Sequence, residues 1–184
     1  MLAFGVALRS QGEVMTGEET HFGWRVFGLG IVAMALVCFA FGGFDPGQPV
    51  PKAFPQRAAL GYAAAAFMFM TGAAIEWRRT AAWGAAALAA YYLLIVIVLM
   101  NGPLLLAQYR EYGIYESLAE QFAIAAGALI VYAANAEIDP ALAARLTRVG
   151  QIVFGVCAVI FGGAHFAYFA YTAMLVPKWL PPSQ

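Results

Sequence analysis

Five apolar runs separated by short polar stretches set the pattern of the chain. The first runs from Val26 to Phe44, the second from Ala58 to Ile75 and the third from Ala81 to Met100. The fourth covers Leu118 to Ala134, and the fifth begins at Val149. At about 1.5 Å per residue, runs of roughly 17 to 20 residues span roughly 26–30 Å, the depth of a bilayer's hydrocarbon core. Over that depth a helix satisfies its backbone within its own segment. The pattern therefore predicts an all-α protein, a helical transmembrane bundle of about five spans. They lie near 26–44, 58–75, 81–100, 118–134 and 149–165, inside a transmembrane domain covering 24–184. One helix from Val149 to Leu175 would be about 40 Å long, too long without strong tilt. A break near Gly162-Gly163 is expected instead, with 166–184 an interfacial segment carrying Phe166, Tyr168, Phe169 and Tyr171.

Residues 1–23 form a polar N-terminal tail with Arg9, Glu13, Glu18 and Glu19. The tail lacks the basic region, apolar stretch and cleavage site of a signal peptide. Met15 is an alternative start. Composition agrees with lipid as the solvent: 63% of the residues are hydrophobic and 11% charged, against about a quarter charged in soluble domains. Net charge is zero, which points to no nucleic-acid partner. Cys38 and Cys157 lie in apolar runs and read as small buried hydrophobes. Orientation follows from the basic residues. With a cytoplasmic N-terminus, Arg9, Arg25, Arg78, Arg79, Arg145 and Arg148 share that side, and Lys52, Arg57, Arg110 and Lys178 the other. An odd span count then puts the C-terminus in the periplasm, in a bacterial inner membrane.

Small residues crowd the second and third runs, at Ala63 to Ala66, Gly72 to Ala74 and Gly84 to Ala87. They allow close backbone approach, so an antiparallel hairpin at the centre of the bundle is expected. The chain also repeats itself. Phe41-Gly42-Gly43 is followed by Val50-Pro51-Lys52-Ala53-Phe54-Pro55, and Phe161-Gly162-Gly163 by Val176-Pro177-Lys178-Trp179-Leu180-Pro181. This describes a four-helix unit plus one helix of a second repeat. Pro51, Pro55, Pro177 and Pro181, with Trp179, are expected to form stiff extended straps across the outer face.

Candidate chemistry converges on one outer layer. Glu116, Glu120 and Gln121 lie in the first turns of the fourth helix, with Glu116 and Glu120 on one face. The repeat aligns Asp45 with His165 at the outer ends of their helices. Ionisable groups near membrane depth suggest a proton-linked or quinone-type site over Asp45, Glu116, Glu120, Gln121 and His165. The competing structural reading is that first-turn carboxylates cap a helix dipole and that His and Tyr anchor at the interface. One imidazole in the layer and no ligand-spacing motif predict no metal site. No cofactor is evident apart from a quinone.

Gln48-Pro49-Val50-Pro51 with Pro55-x-Arg57, Glu120-Gln121, and His165-Phe166 … Thr172-Ala173-x-x-Val176-Pro177-x-Trp179-Leu180-Pro181 resemble the DoxX-like small bacterial membrane proteins. The resemblance covers most of the chain from Arg25 onward. It implies a helical inner-membrane protein of a family linked to quinone-coupled sulfur oxidation and to membrane oxidoreductase complexes. Proteins of this type continue past the second Pro-x-Trp-Leu-Pro, whereas the chain stops at Gln184. A lost second half, a fragment, and helices supplied by another chain all stay open. The expected function is a non-catalytic accessory or assembly subunit, in contact with lipid and with another subunit or copy through the last helix. The alternatives are an integral subunit of a quinone-linked oxidoreductase and, more weakly, a small-solute permease.

Overall fold

The computed structural model describes residues 3–169, with side chains from Phe22 onward. These residues are helical, without a strand. Helix α1 is Ala3–Phe41, α2 Arg57–Ile75 and α3 Ala81–Ala90. The last continues without a break as a π-helix, Tyr91–Asn101, and then as α4, Gly102–Gln108. Helix α5 is Tyr112–Asn135 and α6 Pro140–Ala167. Five stretches are long and apolar enough to cross a membrane: Phe22–Phe41, Arg57–Ile75, Ala81–Ala107, Tyr112–Asn135 and Pro140–Ala167. The polar tail, from Ala3 onward, is helical backbone continuous with the first span.

The helices pack largely in chain order, α1 on α2, α2 on α3, α3 and the π-helix on α5, and α5 on α6. Lipid tails are as apolar as Leu, so close backbone contact has to supply the association. At Gly28 and Gly72 α1 and α2 come so close that a Cβ on Gly72 would lie 3.1 Å from Gly28 O. The expected α2–α3 hairpin forms, and a Cβ on Gly84 would lie 2.8 Å from Thr71 O. The most buried span, however, is α5. Its small side chains Ala125, Ala126 and Ala128 let it sit between α3 and α6, which moves the centre of the bundle from α2–α3 to α3–α5.

The two Phe-Gly-Gly sequences have different fates. In the first, Gly42 is left-handed at φ 62°, and Gly43 N–H donates to Cys38 O at 3.3 Å. That 6→1 bond is the Schellman ending, which satisfies a terminal carbonyl of α1. In the second, the helix does not break. Gly162 and Gly163 stay inside α6, which runs unbroken to Ala167. Gly163 lets the Tyr112 hydroxyl come against the α6 backbone, where it donates to Ile160 O at 2.6 Å. The length of α6 is taken up at its other end. Asp139 caps it by accepting from Ala141 N and Leu142 N, a turn or more before Arg145 and Arg148.

The strap after α1 is compact rather than extended. Phe54 N–H donates to Pro51 O at 3.0 Å, Arg57 N–H to Phe54 O at 3.2 Å, and the Arg57 guanidinium to Val50 O at 3.1 Å. Proline restricts the residue before it, and the Lys52-Ala53 pair after Pro51 remains free to turn. Pro177, Trp179 and Pro181 lie outside the described residues.

Gly42→Ala puts a side chain in left-handed backbone, with its Cβ 2.9 Å from the Tyr62 hydroxyl. It should lower stability in detergent by about 1–2 kcal/mol. A Cβ on Gly43 meets nothing within 4 Å, so Gly43→Ala should unfold like the parent. Equal thermal midpoints for all three proteins would rule the cap out.

Candidate functional site

The polar residues at this end of the bundle are assembled by the turn that follows α1. In Asp45-Pro46-Gly47-Gln48 the Gln48 N–H donates to Asp45 O at 2.8 Å, and the Gly47 N–H to the Asp45 carboxylate at 3.1 Å. Aspartate at the first position and proline at the second suit such a turn. The turn folds inward, so that Asp45, Gly47 and Gln48 are all buried.

Three spans receive it. From the third span, Asn101 donates to Gly47 O at 3.1 Å and to Val96 O at 2.9 Å, and the Tyr91 hydroxyl donates to Gln48 Oε1 at 3.3 Å. From α2, the Met68 sulfur accepts from Gln48 Nε2 and from the Tyr92 hydroxyl, both at 3.7 Å. From α5, the Gln121 amide packs on Gly47 where any side chain at that position would collide with it. Gln121 is fully buried, and neither its Oε1 nor its Nε2 has a hydrogen-bond partner. Polar residues at the π-helix ends thus meet the turn, and π-helical segments recur at functional sites.

Asp45 is the electrostatic centre of the layer. The Asp45 carboxyl lies within electrostatic reach of Glu120 on α5, and Glu116 lies one turn from Glu120 on the same helix. Burial pushes the Asp45 carboxyl above its ordinary value of 3.8, and the Gly47 N–H bond opposes that shift. Asp45, Glu120 and Gln121 are therefore brought together, with Glu116 half-buried one turn away. His165 is not part of the group. The Tyr112–Ile160 bond brings the last turns of α6 level with the start of α5, but the imidazole there is exposed.

Gln48, Tyr91, Tyr92 and Asn101 belong to the layer and were not among the residues singled out by sequence. Their signals are a polar residue closing an apolar run, a tyrosine pair inside one, and an inward-facing residue within a proline-rich turn. Among the described residues no group of three or more His, Cys, Asp or Glu is placed to hold a metal ion. Beside the layer lies an apolar groove of about 630 Å³ between α2 and the third span, lined by Phe44, Val50, Phe67, Tyr91 and Leu99. No family model, curated protein or solved structure matches the chain.

Because the folded Asp45 pKa is raised, its protonated form contributes stability that is fully present below pH 3.8 and is lost as pH rises through the folded pKa. Asp45→Asn keeps an acceptor for Gly47 N–H without the charge. The midpoint of the parent should fall relative to Asp45→Asn as pH is raised across that window, and the two should converge in acid. Parallel pH profiles would show that Asp45 is not desolvated. Asn101→Leu leaves Gly47 O without its donor and should cost about 1–3 kcal/mol. Denaturant titration of the purified protein reads that loss, and an unchanged midpoint would mean that the turn is not held by Asn101.

Proposed function

We propose that the chain is a non-catalytic accessory or assembly subunit of a membrane complex. The observation that carries this reading is the state of α6. Among the described residues it has one extensive neighbour, α5, and it is the least buried of the five spans. Gly155 and Gly162 meet open space on it, Ala158 is exposed, and Val149, Ile152, Phe154, Val156 and Val159 face outward. A span with small residues on an open face suits a neighbouring helix, because close packing there is something lipid tails supply poorly. The partner is another membrane subunit or a second copy. The layer around Asp45 fits this role as a lock, since Asn101, Gln48 and Tyr91 hold the turn against the bundle. The DoxX-like resemblance of Gln48-Pro49-Val50-Pro51 and Glu120-Gln121 lends the same reading support. The setting is a bacterial inner membrane, with the Arg78-Arg79 connection cytoplasmic and the Asp45 turn periplasmic.

One observation favours a second reading, a quinone-linked oxidoreductase subunit. The apolar groove is roomy enough for a prenyl tail. It reaches Tyr91, whose hydroxyl bonds Gln48 in the Asp45 turn.

Gly155→Leu with Ala158→Leu adds bulk to the open face of α6 without adding charge. Blue-native electrophoresis should show the parent in a complex and the double variant as an inserted monomer. A parent that migrates as a lone chain removes the subunit reading. Quinone extracted with the parent, and lost on Glu120→Gln, would replace it with the oxidoreductase reading.

A further inference from the structure

At the opposite end of the bundle from Asp45 lies a cleft of about 1010 Å³, at the upper end of the volumes that small-molecule sites occupy. Three helices wall it. Trp24 comes from α1, Ala82 and Ala86 from α3, and Tyr132 from α5, which makes the inner wall largely apolar. Arg78 and Arg79 form one lip, on the short connection between α2 and α3. The connection between α5 and α6, with Glu137, forms the other. Both arginines are exposed, and neither guanidinium has a hydrogen-bond or ion-pair partner among the described residues. The Arg25 guanidinium lies 5.2 Å from the Trp24 ring centroid, adding a further cation behind the apolar wall.

The depth of the cleft in the membrane is fixed by its elements. It sits where the second span ends, the third begins, the fourth ends and the fifth begins. That is headgroup level. Trp77 and Trp83, both strongly exposed, flank the arginines as interfacial indoles do.

We propose that this cleft binds the headgroup of an anionic phospholipid. The phosphate is held by Arg78 and Arg79, and the upper part of an acyl chain lies along Trp24, Ala86 and Tyr132. Charge complementarity selects the occupant. Two unpaired guanidinia match a phosphate, arginine forks bind its oxygens in pairs, and the wall behind them takes hydrocarbon. Glu137 on the far lip keeps the phosphate to the arginine side and offers an acceptor to headgroup hydroxyls.

Native mass spectrometry of the full chain in mild detergent tests this with phosphatidylglycerol and phosphatidylcholine as the two probes. The parent should retain phosphatidylglycerol selectively. Arg78→Gln with Arg79→Gln should weaken retention by about fivefold per arginine. Arg145→Gln with Arg148→Gln removes the same charge from the same end but away from the cleft, and should leave retention unchanged. Ala86→Met fills the apolar wall with both arginines in place and should weaken retention as well. Equal retention of the two lipids, equal loss in the two arginine pairs, or no effect of Ala86→Met would each overturn the proposal. So would displacement of the lipid by excess glycerol phosphate, which would make the site one for a soluble phosphate.

Discussion

One side-chain amide ties the turn after α1 to the third span. Asn101 donates to Gly47 O in the turn after α1 and to Val96 O in its own π-helix, so it joins a loop to a span and is itself buried. Backbone that is neither helix nor sheet is tolerated near membrane depth only when it is buried in protein and its polar groups are paired. An unpaired carbonyl there is destabilising by about 1–3 kcal/mol. The inward turn at Asp45 can exist because Asn101, the Asp45 carboxylate and the Gln48 N–H absorb its free groups. The remaining contacts of Gln48, Tyr91, Tyr92 and Met68 are arranged around a turn already fixed in this way.

The same constraint explains why identical tripeptides behave differently. Phe41-Gly42-Gly43 ends a helix because Gly42 takes a conformation that other residues avoid and Gly43 then closes on Cys38. Phe161-Gly162-Gly163 has no such need. Continuing the helix satisfies the backbone, and the absence of a side chain at position 163 makes room for the Tyr112 hydroxyl. Glycine permits a helix stop without requiring one, and the surrounding contacts decide.

Span positions were legible because they depend on length and apolarity alone, and each of the five predicted runs overlaps one apolar helix, although the fourth and fifth helices begin six and nine residues earlier than their runs. The meeting of Asp45, Glu120 and Gln121 was legible too, since helix direction alone puts them at one level. Direction does not fix rotation about the helix axis, and the His165 imidazole, level with the layer, is exposed. Asn101, Tyr91 and Tyr92 were hidden for a related reason. They sit on an apolar stretch whose π-helical winding alters which side chains share a face, and nothing in the 3.6-residue period announces that change. Gln48 was read as part of a family-like phrase rather than as a buried partner. The inward fold of its turn depends on groups from three other elements.

The packing order described above has a consequence for biosynthesis. Nearly every extensive helix contact joins neighbours in the chain, α1 with α2, α2 with α3, and α5 with α6. Such contacts are local, and local topologies assemble quickly because little loop entropy is lost before they form. Helices released one at a time into the bilayer can thus dock in the order in which they are made. The layer around Asp45 is the exception. Its turn is synthesised early, acquires Asn101 only after the third span is complete, and is covered by Gln121 only when α5 arrives. The layer is therefore complete only once the fourth span is in place.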